Sequence, residues 1–121
     1  MDFLYVGIGG AIGSILRYCL SLLPIHTHFP FLTFITNIIG AILIGFITSL
    51  FDNQIISPQV TKLLKTGLCG GFTTFSTFSL ETITLLENGQ IAMGILYMML
   101  SVLGCLIGVL IGKYIQMSLK F

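Results

Sequence analysis

A chain of 121 residues with 55% hydrophobic side chains, 7% charged ones and a mean hydropathy of +1.07 has too little charge to hold a surface in water, because soluble domains carry roughly 25% charged residues. The formal net charge is only +1, and most basic residues are scattered outside the apolar runs, so no basic face exists for nucleic acid. Cys19, Cys69 and Cys105 each lie inside an apolar segment with neither a paired framework nor a metal-ligand spacing, and read as small buried hydrophobes.

A membrane-spanning helix needs about 20 apolar residues, and four segments reach that length, at about 3–23, 31–51, 60–86 and 91–114. The first contains one charge, Arg17. It lacks a basic amino-terminal region and ends at Pro24 without a small-residue cleavage pattern, so it is expected to remain in the mature protein rather than act as a secretory signal. The second is uncharged and gives way to a polar turn at Asp52-Asn53-Gln54 and Ser57-Pro58. In the third, Gly67, Gly70 and Gly71 precede the run Thr73-Thr74-Phe75-Ser76-Thr77-Phe78-Ser79, which predicts a helix broken near Gly70–Thr77. Glu87-Asn88-Gly89-Gln90 makes the next turn, and the fourth segment is uncharged from Ile91 to Gly112. Short connections imply antiparallel neighbours. With no linker or internal repeat in view, the expectation is an all-α membrane protein in which residues 1–121 form one four-helix unit.

Glycines recur at helical spacing, Gly9 and Gly13 in the first segment and Gly104, Gly108 and Gly112 in the fourth. Small residues every four positions let helix backbones approach closely in lipid, either within one chain or across a subunit interface. Four crossings put both termini and the middle turn on one side with Lys62, Lys65, Lys113 and Lys120. The positive-inside rule makes that side cytoplasmic.

A few polar groups stand where lipid penalises them. Arg17 costs several kcal/mol unless it reaches an interface, a partner or water; it either anchors the helix by snorkelling or attracts an anion. Asn37, with Thr33, Thr36 and Gly40 around it, needs another helix or a permeating species as partner. A break at Gly70-Gly71 frees backbone groups at membrane depth, which are tolerated only inside protein or along a cavity, and broken helices commonly mark ion sites. Carbonyl ends suit a small hard cation such as Na⁺, amide ends an anion. Phe75, Phe78, Ser79 and Thr82 share one face by i, i+3 and i+4 spacing. Ring edges and hydroxyl protons there can meet an anion, or the rings simply pack while the hydroxyls bond back to the helix. Tyr97 and Ser101 lie one turn apart in the fourth segment, where the tyrosine can equally anchor at an interface. Glu81 gates, pairs with a lysine or sits near water. His26 and His28 occupy a loop and read as solvated rather than metal-bound. With no nucleophile and base, no paired carboxylates and no phosphate loop, an enzyme is not expected.

The run Gly9-Gly10-Ala11-Ile12-Gly13 with Arg17-Tyr18, the Thr33-to-Asn37 pattern with Gly40, and Gly67 through Glu81 together resemble the CrcB/Fluc fluoride-channel family over nearly the whole chain. The resemblance implies a fluoride-selective channel subunit in the cell membrane that lets cytoplasmic fluoride leave passively and so gives fluoride resistance. It implies an antiparallel dual-topology dimer with two narrow pores, and a structural Na⁺ at the dimer centre contacting Gly70 and Thr73 of each subunit. By the same resemblance Phe75 and Phe78 are pore phenylalanines, Asn37 the pore asparagine, and Ser79, Thr82, Tyr97 and Ser101 a polar track. Glu81 matches a glutamate near one pore mouth, and Arg17 the first-helix arginine.

The lysine bias departs from a subunit that inserts both ways, so a homodimer and a heterodimer with a paralogous subunit both stay open. Two other classes compete. A small multidrug cation antiporter would hold an acid where Arg17 stands and aromatic cages, yet the chain has no tryptophan. A non-transporting membrane interaction subunit explains the glycine faces but leaves the Thr-Thr-Phe-Ser-Thr-Phe-Ser run without purpose.

Overall fold

The computed structural model describes residues 1–119; Lys120, one of the four lysines behind the orientation expectation, lies outside the described residues. The chain runs through α1 (Asp2–Ser21), α2 (Phe31–Asp52), α3 (Pro58–Thr61), a π-helical stretch (Lys62–Cys69), α4 (Gly70–Phe72), α5 (Phe75–Glu87) and α6 (Ile91–Ser118), with no strand among the described residues. The stretch over 58–72 is one continuous rod, and α5 follows it after two extended residues.

Local chemistry sets the boundaries. Pro24 and Pro30 flank the first loop, where an N–H-less residue cannot continue a helix. Ser57 caps the rod by accepting the Val60 N–H at 3.1 Å with Pro58 in the first turn, the favoured combination at a helix start. Gly89 takes φ +80° between α5 and α6, a conformation glycine adopts without steric cost.

The elements stack as antiparallel rods whose ends are tied in pairs. At one end Lys62 meets Asp2 at 2.9 Å and Asn53 donates to Gln116 Oε1 at 2.9 Å. At the other, Gln90 Nε2 lies 3.4 Å from His28 Nδ1. The Lys62 ammonium holds the exposed Asp2 carboxyl below its ordinary value of 3.8.

Packing is by notches rather than by large apolar side chains. A Cβ on Gly9 or Gly13 of α1 would strike the carbonyls of Leu63 and Leu68 on the rod, and one on Gly112 of α6 would strike the Ile42 carbonyl of α2. These glycines therefore serve contacts within the chain, the close-approach mode that lipid favours. The largest fully buried side chains are Tyr97, Gln116 and Cys69, while Leu80, Leu106 and Leu110 are more than half exposed. That inversion of the soluble pattern fits an outer face dissolved in hydrocarbon. Three helices, α1, α2 and α6, are long and apolar enough to cross a membrane. At 28 residues α6 is about 42 Å long by the 1.5 Å rise, more than the ~30 Å hydrocarbon layer.

Gly70 and Gly71 do not interrupt the backbone as the sequence suggested. Both are helical, and the extended residues are Thr73 (φ −84°, ψ 156°) and Thr74 (φ −148°, ψ 117°). The π-helical widening just before them, over Lys62–Cys69, had no sequence signal; such bulges are frequent at functional sites.

Candidate functional site

Two extended residues between apolar helices leave N–H and C=O groups that hydrocarbon cannot satisfy, and side chains from α1 and α2 converge on this stretch. Asn37 of α2 accepts the Thr74 N–H on Oδ1 at 2.8 Å and donates Nδ2 to the Thr74 carbonyl at 3.1 Å, a two-point pairing with a single residue. Arg17 of α1 donates Nε to the Gly71 carbonyl at 3.1 Å. Thr73 turns both its N–H (3.0 Å) and its hydroxyl (2.8 Å) to the Cys69 carbonyl. Thr74 Oγ1 accepts the Thr77 N–H at 3.2 Å and so caps α5. In a continued helix the Thr74 N–H would bond the Gly70 carbonyl; turned to Asn37 instead, it leaves that carbonyl free of its helical partner.

Gly40 makes room for this arrangement, since a Cβ there would collide with the Thr73 methyl. Asn37, Gly40, Gly70, Thr73, Thr74, Phe75, Phe78 and Ser101 border one open groove of about 380 Å³, walled otherwise by aliphatic side chains, Cys69 and Cys105. Ser101 is 7% exposed, and its hydroxyl is the one buried side-chain oxygen or nitrogen among the described residues without a hydrogen-bond partner. An unmet buried donor carries a penalty of about 1–3 kcal/mol.

The aromatic rings form a connected line. Phe75, 67% exposed, meets Phe78 edge-to-face with centroids 5.4 Å apart and planes at 80°. Phe78 meets Tyr97 at 5.0 Å, and Tyr97 meets Phe29 at 5.4 Å. Tyr97 is fully buried and donates its hydroxyl to Glu81 Oε1 at 2.9 Å, while Thr33 donates to Glu81 Oε2 at 3.0 Å. Glu81 thus sits half-buried with both oxygens engaged, in the wall of a second, wider cavity of about 760 Å³ between the first loop and the end of α5.

Not every anticipated residue joins the groove. Ser79 donates to the Phe75 carbonyl at 2.9 Å and Thr82, buried, to the Phe78 carbonyl at 2.8 Å, so both hydroxyls bond back to their own helix. Arg17 borders neither cavity above; it lines a smaller one of about 290 Å³ with Ser14, Thr33, Thr36, Thr74 and Thr77. Among the described residues it has no carboxylate partner, the one salt bridge being Lys62–Asp2. No group of three or more His, Cys, Asp or Glu residues gathers for a metal among the described residues. Three partnerships went unread in the sequence: Glu81 with Thr33 and Tyr97 rather than with a lysine, Arg17 with Gly71, and Gln116 of α6 with Ser49 and Asn53 of α2. The polar spacing hinted at the first through Thr33; the other two join residues more than fifty apart with no local signal.

These features define a membrane protein built around an interrupted, side-chain-supported stretch of backbone with aromatic edges and hydroxyls beside it. Residues 4–113 match the family described as CrcB-like protein, Camphor Resistance (CrcB). Among curated relatives, a protein of Methanococcus aeolicus named fluoride-specific ion channel FluC is 40% identical over 119 residues, spanning 98% of this chain and 97% of the relative. Proteins of the same name from Flavobacterium psychrophilum and Clostridium perfringens are 47% and 48% identical over 81% and 91% of this chain, and over 82% and 89% of their own lengths. The chain belongs to the CrcB family.

Proposed function

We propose that this chain is a subunit of a fluoride-selective channel in the cell membrane, through which cytoplasmic fluoride leaves passively and fluoride toxicity falls. The observation that carries the reading is the two-point pairing of Asn37 with Thr74 beside the Phe75–Phe78 ring pair, in a chain whose relatives bear the name of fluoride channels.

Fluoride is small and strongly hydrated, so a selective path has to replace its water with convergent donors, while narrowness rejects larger halides. Asn37 carries two amide protons; one serves Thr74 and the second remains for an anion. The Ser101 hydroxyl borders the same groove with its proton uncommitted. Phe75 and Phe78 offer positive ring edges, which attract an anion without the strong binding that would trap it. Ser79, Thr82 and Tyr97 continue the polar track once their hydroxyls rotate from their present acceptors. Glu81, fixed by Thr33 and Tyr97, stands at one mouth. Arg17 holds the Gly71 carbonyl and adds positive potential near the path. Flow needs no energy source: HF crosses membranes, dissociates in neutral cytoplasm, and the anion leaves down its electrochemical gradient.

In this reading the third crossing is a helix broken at Thr73–Thr74, and the groove is half of a passage completed by a second subunit packed antiparallel. A structural Na⁺ fits the residues present. The free Gly70 carbonyl and the neighbouring Thr73 are hard, uncharged oxygen donors on the groove, with no carboxylate there. Hard cations take about six or more oxygens, more than one chain supplies, so both subunits would contribute Gly70 and Thr73; the ion would hold the two breaks together and add fixed positive charge. Lys62, Lys65 and Lys113 lie toward the end of the molecule where Lys62 meets Asp2 and Gln116 meets Asn53. That bias supports cytoplasmic termini, and a heterodimer with an oppositely inserted paralogue as the second reading beside a homodimer.

Fluoride efflux from liposomes holding this protein alone is the test, with chloride and a Phe75→Ile, Phe78→Ile double variant as controls. Fluoride-selective efflux lost in the variant is expected of a homodimer; efflux that appears only with a paralogue gives the heterodimer. Silence in both arms removes the channel reading.

A further inference from the structure

The wide cavity above Glu81 has a chemistry that the conduction path does not use. Its rim is the loop 25–30, and His26 and His28 both line it while staying exposed to water. From α2 it receives Phe31, Leu32 and Thr33, from α5 Leu80, Glu81, Thr84 and Leu85, and from the last turn Asn88 and Gln90. Glu81 is therefore the one ionisable group facing the histidines from the packed elements; Glu87, also on α5, is exposed and not part of the lining, and no Lys or Arg lines the cavity. With neutral imidazoles the mouth carries a single negative charge, which repels an anion.

We infer that His26 and His28 make this cavity a proton-tuned anion vestibule, in which protonated imidazoles gather fluoride at the mouth and raise conduction when that side turns acidic. The inference rests on the channel reading. An imidazole is the side chain that gains charge between about pH 5 and 8, so acidification replaces the net charge of Glu81 with a net positive one. A unit charge about 10 Å from an ion in water changes its occupancy roughly twofold, and two such charges roughly fourfold. His28 also joins the two loops through Gln90. Once both its nitrogens carry protons it can only donate, so the Gln90 amide turns its oxygen toward the ring and the link between the loops persists. Under cytoplasmic termini this mouth faces outward, where acid drives HF into the cell and demand for export is greatest.

Current through planar bilayers tests this, because neutral HF carries none. An antiparallel pair of this chain presents one such mouth to each solution, so with both solutions acidified wild-type fluoride current rises about two- to fourfold between about pH 7.5 and about pH 5.5, and the rise salts out with ionic strength. A His26→Gln, His28→Gln double variant keeps the neutral-pH current and loses the rise. A double variant that still responds to acid, a rise abolished instead by Glu81→Gln alone, or a wild type equal at both pH values overturns the inference while leaving the channel intact. Absence of fluoride current at neutral pH, from this protein alone and together with a paralogue, overturns the channel reading and this inference with it.

Discussion

The contact between α2 and α6 and the contact between α2 and residues 70–77 use the same helix for opposite purposes. Toward α6, α2 offers backbone: Gly45 receives the Val109 carbonyl and the Ile42 carbonyl receives Gly112, with no room for a Cβ at either glycine. Toward the extended residues it offers a side chain, Asn37, which takes the place of a neighbouring strand for Thr74. Where both backbones are already satisfied as helices, lipid rewards closeness, and glycine achieves it. Where the backbone leaves the helix, lipid penalises each bare peptide group, and polar side chains have to stand in for water. The first contact holds the molecule together; the second creates a polar place inside it.

Substitutions separate the two. Gly112→Val drives a branched side chain into α2 backbone, which cannot rotate away. Overpacking typically costs about 1–3 kcal/mol, and an immovable neighbour puts this variant at the upper end, read as lost monodispersity and a lowered Tm in detergent. Asn37→Leu leaves the N–H and carbonyl of Thr74 both unpaired, at about 1–3 kcal/mol each. If the extended residues belong to the path, fluoride flux falls at least tenfold in protein that still purifies as folded. A flux that follows stability alone would merge the two regions into one structural role. Arg17→Met orphans a single carbonyl, a loss of about 1–2 kcal/mol, with flux reduced less than in Asn37→Leu. The smallest effect belongs to Asp2–Lys62 at the far end. Because the folded carboxyl is held below its ordinary value, the contribution of the pair is complete above that value and is lost as pH falls through the lowered one. Asp2→Asn therefore lowers Tm slightly at neutral and mildly acidic pH, and a Tm comparison across buffers shows the difference between the two proteins closing only in strongly acidic buffer.

Much of the helical arrangement was legible because it rests on long apolar runs and short polar turns, signals that need no tertiary knowledge. The glycine spacing announced close contacts, and the structure resolves which surfaces they serve. The polar details were harder. Gly70-Gly71 drew attention to the right neighbourhood, yet both residues stay helical, because a glycine permits a break without compelling one. The departure falls at Thr73–Thr74, where side chains outbid the next helical bonds: Asn37 takes the Thr74 N–H, and Arg17 the Gly71 carbonyl. Those partners stand 37 and 54 residues away, beyond the reach of any periodicity. Ser79 and Thr82 share a face with the phenylalanines as their spacing indicates, but spacing cannot say where a hydroxyl proton points, and here both point to their own helix.

The reversal potential of the purified protein in a planar bilayer under opposed fluoride and chloride gradients bears most directly on whether this polar place is a fluoride path. A potential at the fluoride equilibrium value, unmoved by changes in chloride, is the expected result; one that tracks chloride or the accompanying cation would contradict it.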